Sequence, residues 1–140
     1  IKYYEGLEGV KSVYESLLKD IRNKEDYLVI SHLEPWLKLD QQFFVDFIKR
    51  RAKLNINIRM LLQDSSVAQE YKKRERNFNE KIKILPNNTS LVTNLVIIPK
   101  KIVIHQLVPP IMAIVIENQS IVKMHQQLFE IMWGFISDRR

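Results

Sequence analysis

Apolar and polar positions follow two rhythms along this chain. Val10, Val13, Tyr14, Leu17, Leu18 and Ile21 recur every three or four residues, the spacing that places them on one stripe of a helix resting on a core. The stripe ends near Asn23-Lys24, and Tyr27-Leu28-Val29-Ile30-Ser31 follows as a short strand. Asp40 is placed to cap a second helix carrying Phe43, Phe44, Phe47 and Ile48, with basic residues in its last turn, where they suit the helix dipole. Asn55 reads as a left-handed stop, and residues 56–62 as a second strand. Strand, helix and strand in so short a span make a βαβ crossover, which implies a parallel pair covered by helices. Ser66 with Gln69 resembles a capping box opening a third helix to about Lys81. Its apolar stripe is thin (Val67, Tyr71, Phe78), so it should lie loosely on the surface.

The second half changes to the period of strands. Residues 81–85 read as a short strand and Asn87-Asn88-Thr89 as a loop, followed by β-rich runs at 91–98, 101–108 and 111–117. Only Pro99-Lys100 and Pro109-Pro110 separate those runs, and connections that short force antiparallel hairpins. A closing helix beginning near Gln119 carries Ile121, His125, Leu128, Phe129, Met132, Trp133 and Ile136 on one side, with Trp133 expected to be largely buried. The fold class this predicts is α/β: a layered sandwich whose mixed central sheet is parallel at the front and antiparallel at the back, with flanking helices.

Composition narrows the function. With 140 residues, 46% of them apolar, the chain is one domain large enough to bury a core without staples. It has no Cys, which excludes a disulfide framework, a thiolate zinc site and a cysteine nucleophile. Its longest apolar runs, 95–98 and 111–116, are too short to cross a bilayer, so a cytoplasmic protein with no membrane partner is expected. In that setting the sequons at Asn87, Asn88 and Asn118 match by chance. The net charge of +6 invites a nucleic-acid reading. Its main clusters are Lys49-Arg50-Arg51-Ala52-Lys53, Lys72-Lys73-Arg74-Glu75-Arg76, Lys100-Lys101 and Arg139-Arg140. The first two fall on polar sides of helices, where solvated charge normally lies.

Catalytic chemistry finds little support. His105 and His125 stand 20 apart with no third ligand at short spacing, so no metal site is expected, and nothing calls for a cofactor. The chain's glycines are Gly6, Gly9 and Gly134, which cannot build a phosphate loop. Glu34, Asp40, Asp46 and Asp64 could pair as acids and bases only if a cleft held them together.

Three segments carry a resemblance. Tyr4-Glu5-Gly6-Leu7-Glu8-Gly9-Val10-Lys11 opens the chain. Arg59-Met60-Leu61-Leu62-Gln63-Asp64 stands in the middle, followed by Glu70-Tyr71-Lys72-Lys73-Arg74. Ile114-Val115-Ile116-Glu117-Asn118 with Phe129-Glu130-Ile131-Met132-Trp133 closes it. Together they resemble the region after the DNA-binding domain in TrmB-type transcriptional regulators. In that family a winged helix-turn-helix comes first, and the following domain resembles one half of a phospholipase D fold. The resemblance implies that residues 1–140 are a single regulatory domain for effector sensing and dimerisation. It also implies that the DNA-binding winged helix precedes Ile1, which is not an initiator Met. The partners expected are a second copy, DNA through the upstream domain, and a small-molecule effector.

The phospholipase D kinship would bring an His-x-Lys-x4-Asp motif, whose imidazole attacks phosphodiesters while the lysine holds the phosphate. This chain lacks it. His32 is followed by Leu33-Glu34, His105 by Gln106-Leu107 and His125 by Gln126-Gln127. A non-enzyme is therefore expected. What remains is a ligand site at the carboxyl ends of the parallel strands, where loops converge. There stand Ser31, His32, Glu34 and Trp36 after the first strand, and Gln63 and Asp64 after the second. The bland alternative for the first group is a loop whose Trp36 packs beneath its own helix. The alternative function is a degenerate phospholipase D-like phosphodiesterase or nuclease, or a direct nucleic-acid-binding module.

Overall fold

A computed structural model of the chain describes residues 1–137; the Arg139-Arg140 cluster lies outside them. The stripe predicted around Val10 forms α1 (Gly6–Asp20), which buries Val10, Val13, Tyr14 and Leu17. Gly6 starts it at φ +75°, a backbone conformation that favours glycine, and its N–H donates to the Ile111 carbonyl at 2.8 Å. The other elements follow in order: β2 (Asp26–Ser31), α2 (Leu33–Leu39), α3 (Gln41–Ala52), β3 (Asn57–Leu62), α4 (Ser66–Lys73), a 3-10 turn (Glu75–Phe78), β4 (Glu80–Ile84), β5 (Thr93–Ile98), β6 (Lys101–Gln106), β7 (Met112–Ile116) and α5 (Gln119–Phe135). A strand β1 (Lys2–Glu5) precedes α1.

The seven strands form one mixed sheet in the order β1-β7-β6-β5-β2-β3-β4. β2 and β3 run parallel, as the crossover pattern predicts, β4 adds a further parallel strand beside β3, and β5, β6, β7 and β1 pair antiparallel. The two halves join where β2 meets β5 antiparallel, with Val29 opposite Val96. Strand alternation divides the interior in two. Tyr27, Val29, Met60, Ile82, Val96, Val103 and Val115 pack with α1, α2, α3 and α4 on one face. Leu28, Leu61, Ile97 and Ile102 pack on the other against Val122 and Phe129 of α5, with Leu85 from the segment after β4. Burial on both faces explains why a central strand such as Leu95-Val96-Ile97-Ile98 is continuously apolar rather than alternating.

The β4 edge is closed by side chains. Glu75 Oε2 accepts from the Ile82 N–H at 2.7 Å, and Lys72 Nζ donates to the Ile82 carbonyl at 2.6 Å. An outward-facing donor and acceptor that could template another strand are thereby occupied.

Several local expectations need correction. β1 was hidden because its four residues form a strand only against β7. The segment read as a loop after Ser31 is helix α2, and Trp36 lies on its buried side. Asp40 caps α3 as expected, accepting from Phe43 N–H at 3.1 Å. The cap of α4 is Ser65, not Ser66, because Ser65 Oγ accepts from Ala68 N–H at 3.0 Å while Gln69 turns to Asp64. α4 stops at Lys73 and not near Lys81, giving way to the 3-10 turn, which ends on left-handed Asn79. Among the described residues, the left-handed ones with side chains are Lys24 and Asn79 rather than Asn55. Trp133 is half-buried, and Leu128 turns outward with 48% of its surface exposed. A single helix on a wide sheet face cannot cover its whole apolar arc.

Candidate functional site

The Gln63 N–H donates to the Ser31 carbonyl at 2.9 Å, so the carboxyl ends of β2 and β3 do lie side by side. The six residues expected there nevertheless separate. Ser31 and Trp36 turn inward and line a small buried cavity under α2 and α3. His32 and Glu34 are half-buried beside it and do not line it. Gln63 Oε1 accepts from the Leu91 N–H at 2.6 Å, anchoring the loop before β5. Asp64 is exposed and accepts from Gln69 Nε2 at 3.0 Å, on the rim of a shallow surface depression with Ser65, Ser66 and Asn87.

Tyr14 is the hub of the interior beside that cavity. Its hydroxyl lies 3.0 Å from Trp36 Nε1, 2.8 Å from Asn94 Nδ2 and 2.9 Å from His105 Nδ1. Trp36 and Asn94 have only N–H groups to offer there, so the oxygen accepts twice and the O–H donates to His105. That assigns the imidazole proton to Nε2, which is buried without a partner. Burial holds the His105 pKa down at about 4, so the ring is neutral. Burial likewise pushes the Tyr14 hydroxyl well above its ordinary range. Edge-on packing with Phe44 and Phe47, at 5.2 and 5.4 Å between centroids, fixes the Tyr14 ring.

A second polar group faces the same cavity. Arg51 of α3 donates to Glu80 Oε2 of β4 at 2.5 Å, with both side chains buried. The guanidinium also lies over the Tyr27 ring, 5.0 Å from its centroid. Desolvation raises the Glu80 carboxyl, and the Arg51 charge opposes it. Tyr27 is pushed up to about 12 by burial. Four of these buried polar atoms have no hydrogen-bond partner in the protein: Tyr27 Oη, Ser31 Oγ, Arg51 Nε and Glu80 Oε1. All four residues line the one cavity, whose volume of about 10 Å³ fits a water-sized group. The chemistry offered is an N–H donor, a carboxylate acceptor and two hydroxyls, enclosed by Trp36, Leu33 and Met60.

Sequence reasoning missed most of this group. Arg51 looked like one more cation in a solvated run. The available signals were polar residues that share the strand alternation of buried apolar ones: Glu80 with Ile82 and Ile84 in β4, Asn94 with Val96 and Ile98 in β5, and His105 with Val103 in β6.

The basic clusters are largely engaged within the fold. Arg50 pairs with Glu15 at 2.5 Å and Asp46 at 2.8 Å, Arg51 is buried, and Lys72 holds the Ile82 carbonyl. Arg74 lies over Tyr71 and Phe78, and Lys101 is buried 2.8 Å from Asp20. Lys49, Lys53, Lys73 and Arg76 remain exposed. His125 sits on α5 with Nδ1 2.8 Å from the Ile121 carbonyl, across the sheet from His105.

No family model matches this chain, and no curated protein matches it. No helix among the described residues is long and apolar enough to cross a membrane. Among solved structures, the chain is similar to TrmBL2, an archaeal chromatin protein whose structure shows a novel mode of DNA binding. The two superimpose with a TM-score of 0.64 over 97% of this chain and 52% of TrmBL2, at 10% sequence identity. The chain therefore spans about half the length of TrmBL2 and shares the fold of that half.

Proposed function

We propose that this chain is the effector-sensing and dimerisation domain of a TrmB-like transcriptional regulator, which reaches DNA through a winged helix upstream. The observation that carries this reading is the fold. Nearly all of the chain overlays about half of a DNA-binding chromatin protein, so the other half is free to be the reading head. The Tyr4–Lys11 and Phe129–Trp133 segments resemble the same family. A phospholipase D-like origin of the domain, and a cytoplasmic location, belong to this reading through that resemblance.

Sensing is assigned to the cavity under α2. A small polar molecule would meet Tyr27, Ser31, Arg51 and Glu80 there. A ligand larger than water requires α2 to move. α2 is seven residues long, lacks a side-chain N-cap, and is flanked by extended His32 and Asp40. A ligand that binds only the opened state shifts the equilibrium toward it by that difference in affinity, which is how occupancy would reach the rest of the protein.

The non-catalytic reading draws support from the three histidines, which lie in three separate places. One is half-buried at the head of α2, one is locked to Tyr14, and one is bonded to its own helix. The second reading, direct nucleic-acid binding, rests on exposed Lys49, Lys53, Lys73 and Arg76. Titrating labelled duplex DNA at physiological salt separates the two. Residues 1–140 should bind only weakly, and the chain joined to its upstream coding sequence should bind tightly. Tight, sequence-selective binding by residues 1–140 alone would favour the second reading.

A further inference from the structure

Among the described residues, α5 is the one helix on the face of the sheet opposite α1–α4, and it leaves part of its own apolar arc bare. Met124, Leu128, Ile131 and Phe135 are 54%, 48%, 58% and 88% exposed. Their spacing of four, three and four residues is that of a helix-pairing seam. The direction in which the seam points follows from the rest of the helix. Glu130 bonds Arg59 of β3, and the Trp133 carbonyl accepts from Lys83 of β4. At 100° per residue the seam lies almost opposite those two, so it leans toward β7 and β1.

The sheet beneath continues the surface. Tyr3, Ile114 and Ile104 stand in one register row across β1, β7 and β6. Their strand neighbours Tyr4, Ala113, Val115 and Val103 belong to the four-helix side, so this row faces the α5 side. Ile104 and Ile114 are half-buried, and Tyr3 is 56% exposed. Helix flank and strand floor therefore make one step-shaped apolar surface.

We infer that this step is the interface through which a second copy of the chain docks, two-fold related, with α5 against α5. The inference deepens the dimerisation part of the proposed function and rests on it. Two observations select the occupant. The five well-exposed side chains present on the order of 500 Å² of apolar surface, and the half-buried row extends it toward the roughly 800 Å² per partner of a stable interface. The helix flank of the step also carries no charge, and the strand floor adds exposed Glu5, which shares the face of Tyr3 on β1. Two chains of net charge +6 repel, and this helix flank lets them meet without opposing like charges, because Lys123 and Glu130 lie on the other flank of α5.

Sedimentation equilibrium from 1 to 100 µM tests it. Wild type should be a dimer. Leu128→Glu and Ile131→Glu should weaken it by about a hundredfold or more, because each buries two carboxylates at the axis. Val92→Glu, at an exposed apolar site before β5, should leave the dimer intact. The chain has no cysteine, so Ile131→Cys gives an independent readout should the glutamate variants misfold. Mild oxidation should link it into a covalent dimer, whereas Val92→Cys should stay monomeric on a denaturing gel. A dimer that survives both glutamate variants, or fails to cross-link through Ile131→Cys, overturns this surface but leaves the dimeric regulator standing. A monomeric wild type at 100 µM overturns both, as does a monomer that instead binds anionic phosphatidylserine vesicles through α5.

Discussion

Tyr14 Oη and His105 Nδ1 meet at 2.9 Å across 91 residues of sequence, joining the first helix to the antiparallel half of the sheet. The same hydroxyl accepts from Trp36 and Asn94, so one atom ties α1, α2, β5 and β6 together. Tyr14→Phe would preserve the ring packing and strand three buried polar groups. The expected loss is about 2–4 kcal/mol in urea unfolding, mostly the cost of unpartnered buried groups.

His105 also predicts how stability varies with pH. Its folded pKa of about 4 lies below the ordinary 6.5, so the unfolded chain binds the proton first on acidification. Stability from this group is complete above pH 6.5 and is lost as pH falls toward 4, by up to about 3 kcal/mol. Urea titrations of wild type and His105→Gln at pH 7.5 and 4.5 isolate the effect. The variant should lose less stability between the two pH values. Parallel losses would show that the folded imidazole accepts a proton normally.

Arg51 and Glu80 should behave as a unit. Removing either partner alone leaves a buried charge, so Arg51→Met is expected to cost about 3–5 kcal/mol. The Arg51→Met, Glu80→Met double variant should cost clearly less than the sum of the single ones, as a double-mutant cycle in urea would report. Additive losses would mean that the pair is not coupled.

The guarded β4 edge makes a separate prediction about solubility. Lys72→Ala with Glu75→Ala frees the Ile82 N–H and carbonyl, which face outward from the sheet. Light scattering during prolonged incubation should show faster aggregation than wild type at nearly unchanged secondary structure.

The frame of this fold was legible in the sequence because it depends on local periodicity. The α1 and α3 stripes, the parallel β2–β3 unit and the hairpins around Pro99-Lys100 and Pro109-Pro110 follow from spacing and connection length. β1 and α2 were not legible, since four and seven residues carry too little pattern and both owe their form to tertiary packing. The site was half legible. Ser31 and Trp36 stand where strand ends were expected to gather chemistry, yet they face inward, while Gln63 and Asp64 brace loops. Arg51 was invisible because a buried cation and a solvated one look alike within a basic run. Only the arrival of Glu80 from 29 residues away distinguishes them.

Reception of a small polar effector by the interior cavity is tested by thermal unfolding in the presence of a panel of mono- and disaccharides and polyols. At least one member should raise the melting temperature of wild type in proportion to the logarithm of its concentration, as binding to the folded state requires. Tyr27→Phe is the matched control. Its hydroxyl has no partner in the protein, so its removal should cost the fold little while taking one contact from the ligand. The melting temperature of wild type should rise, and Tyr27→Phe should diminish that rise. A panel without effect, or a shift of the same size in Tyr27→Phe, would contradict it.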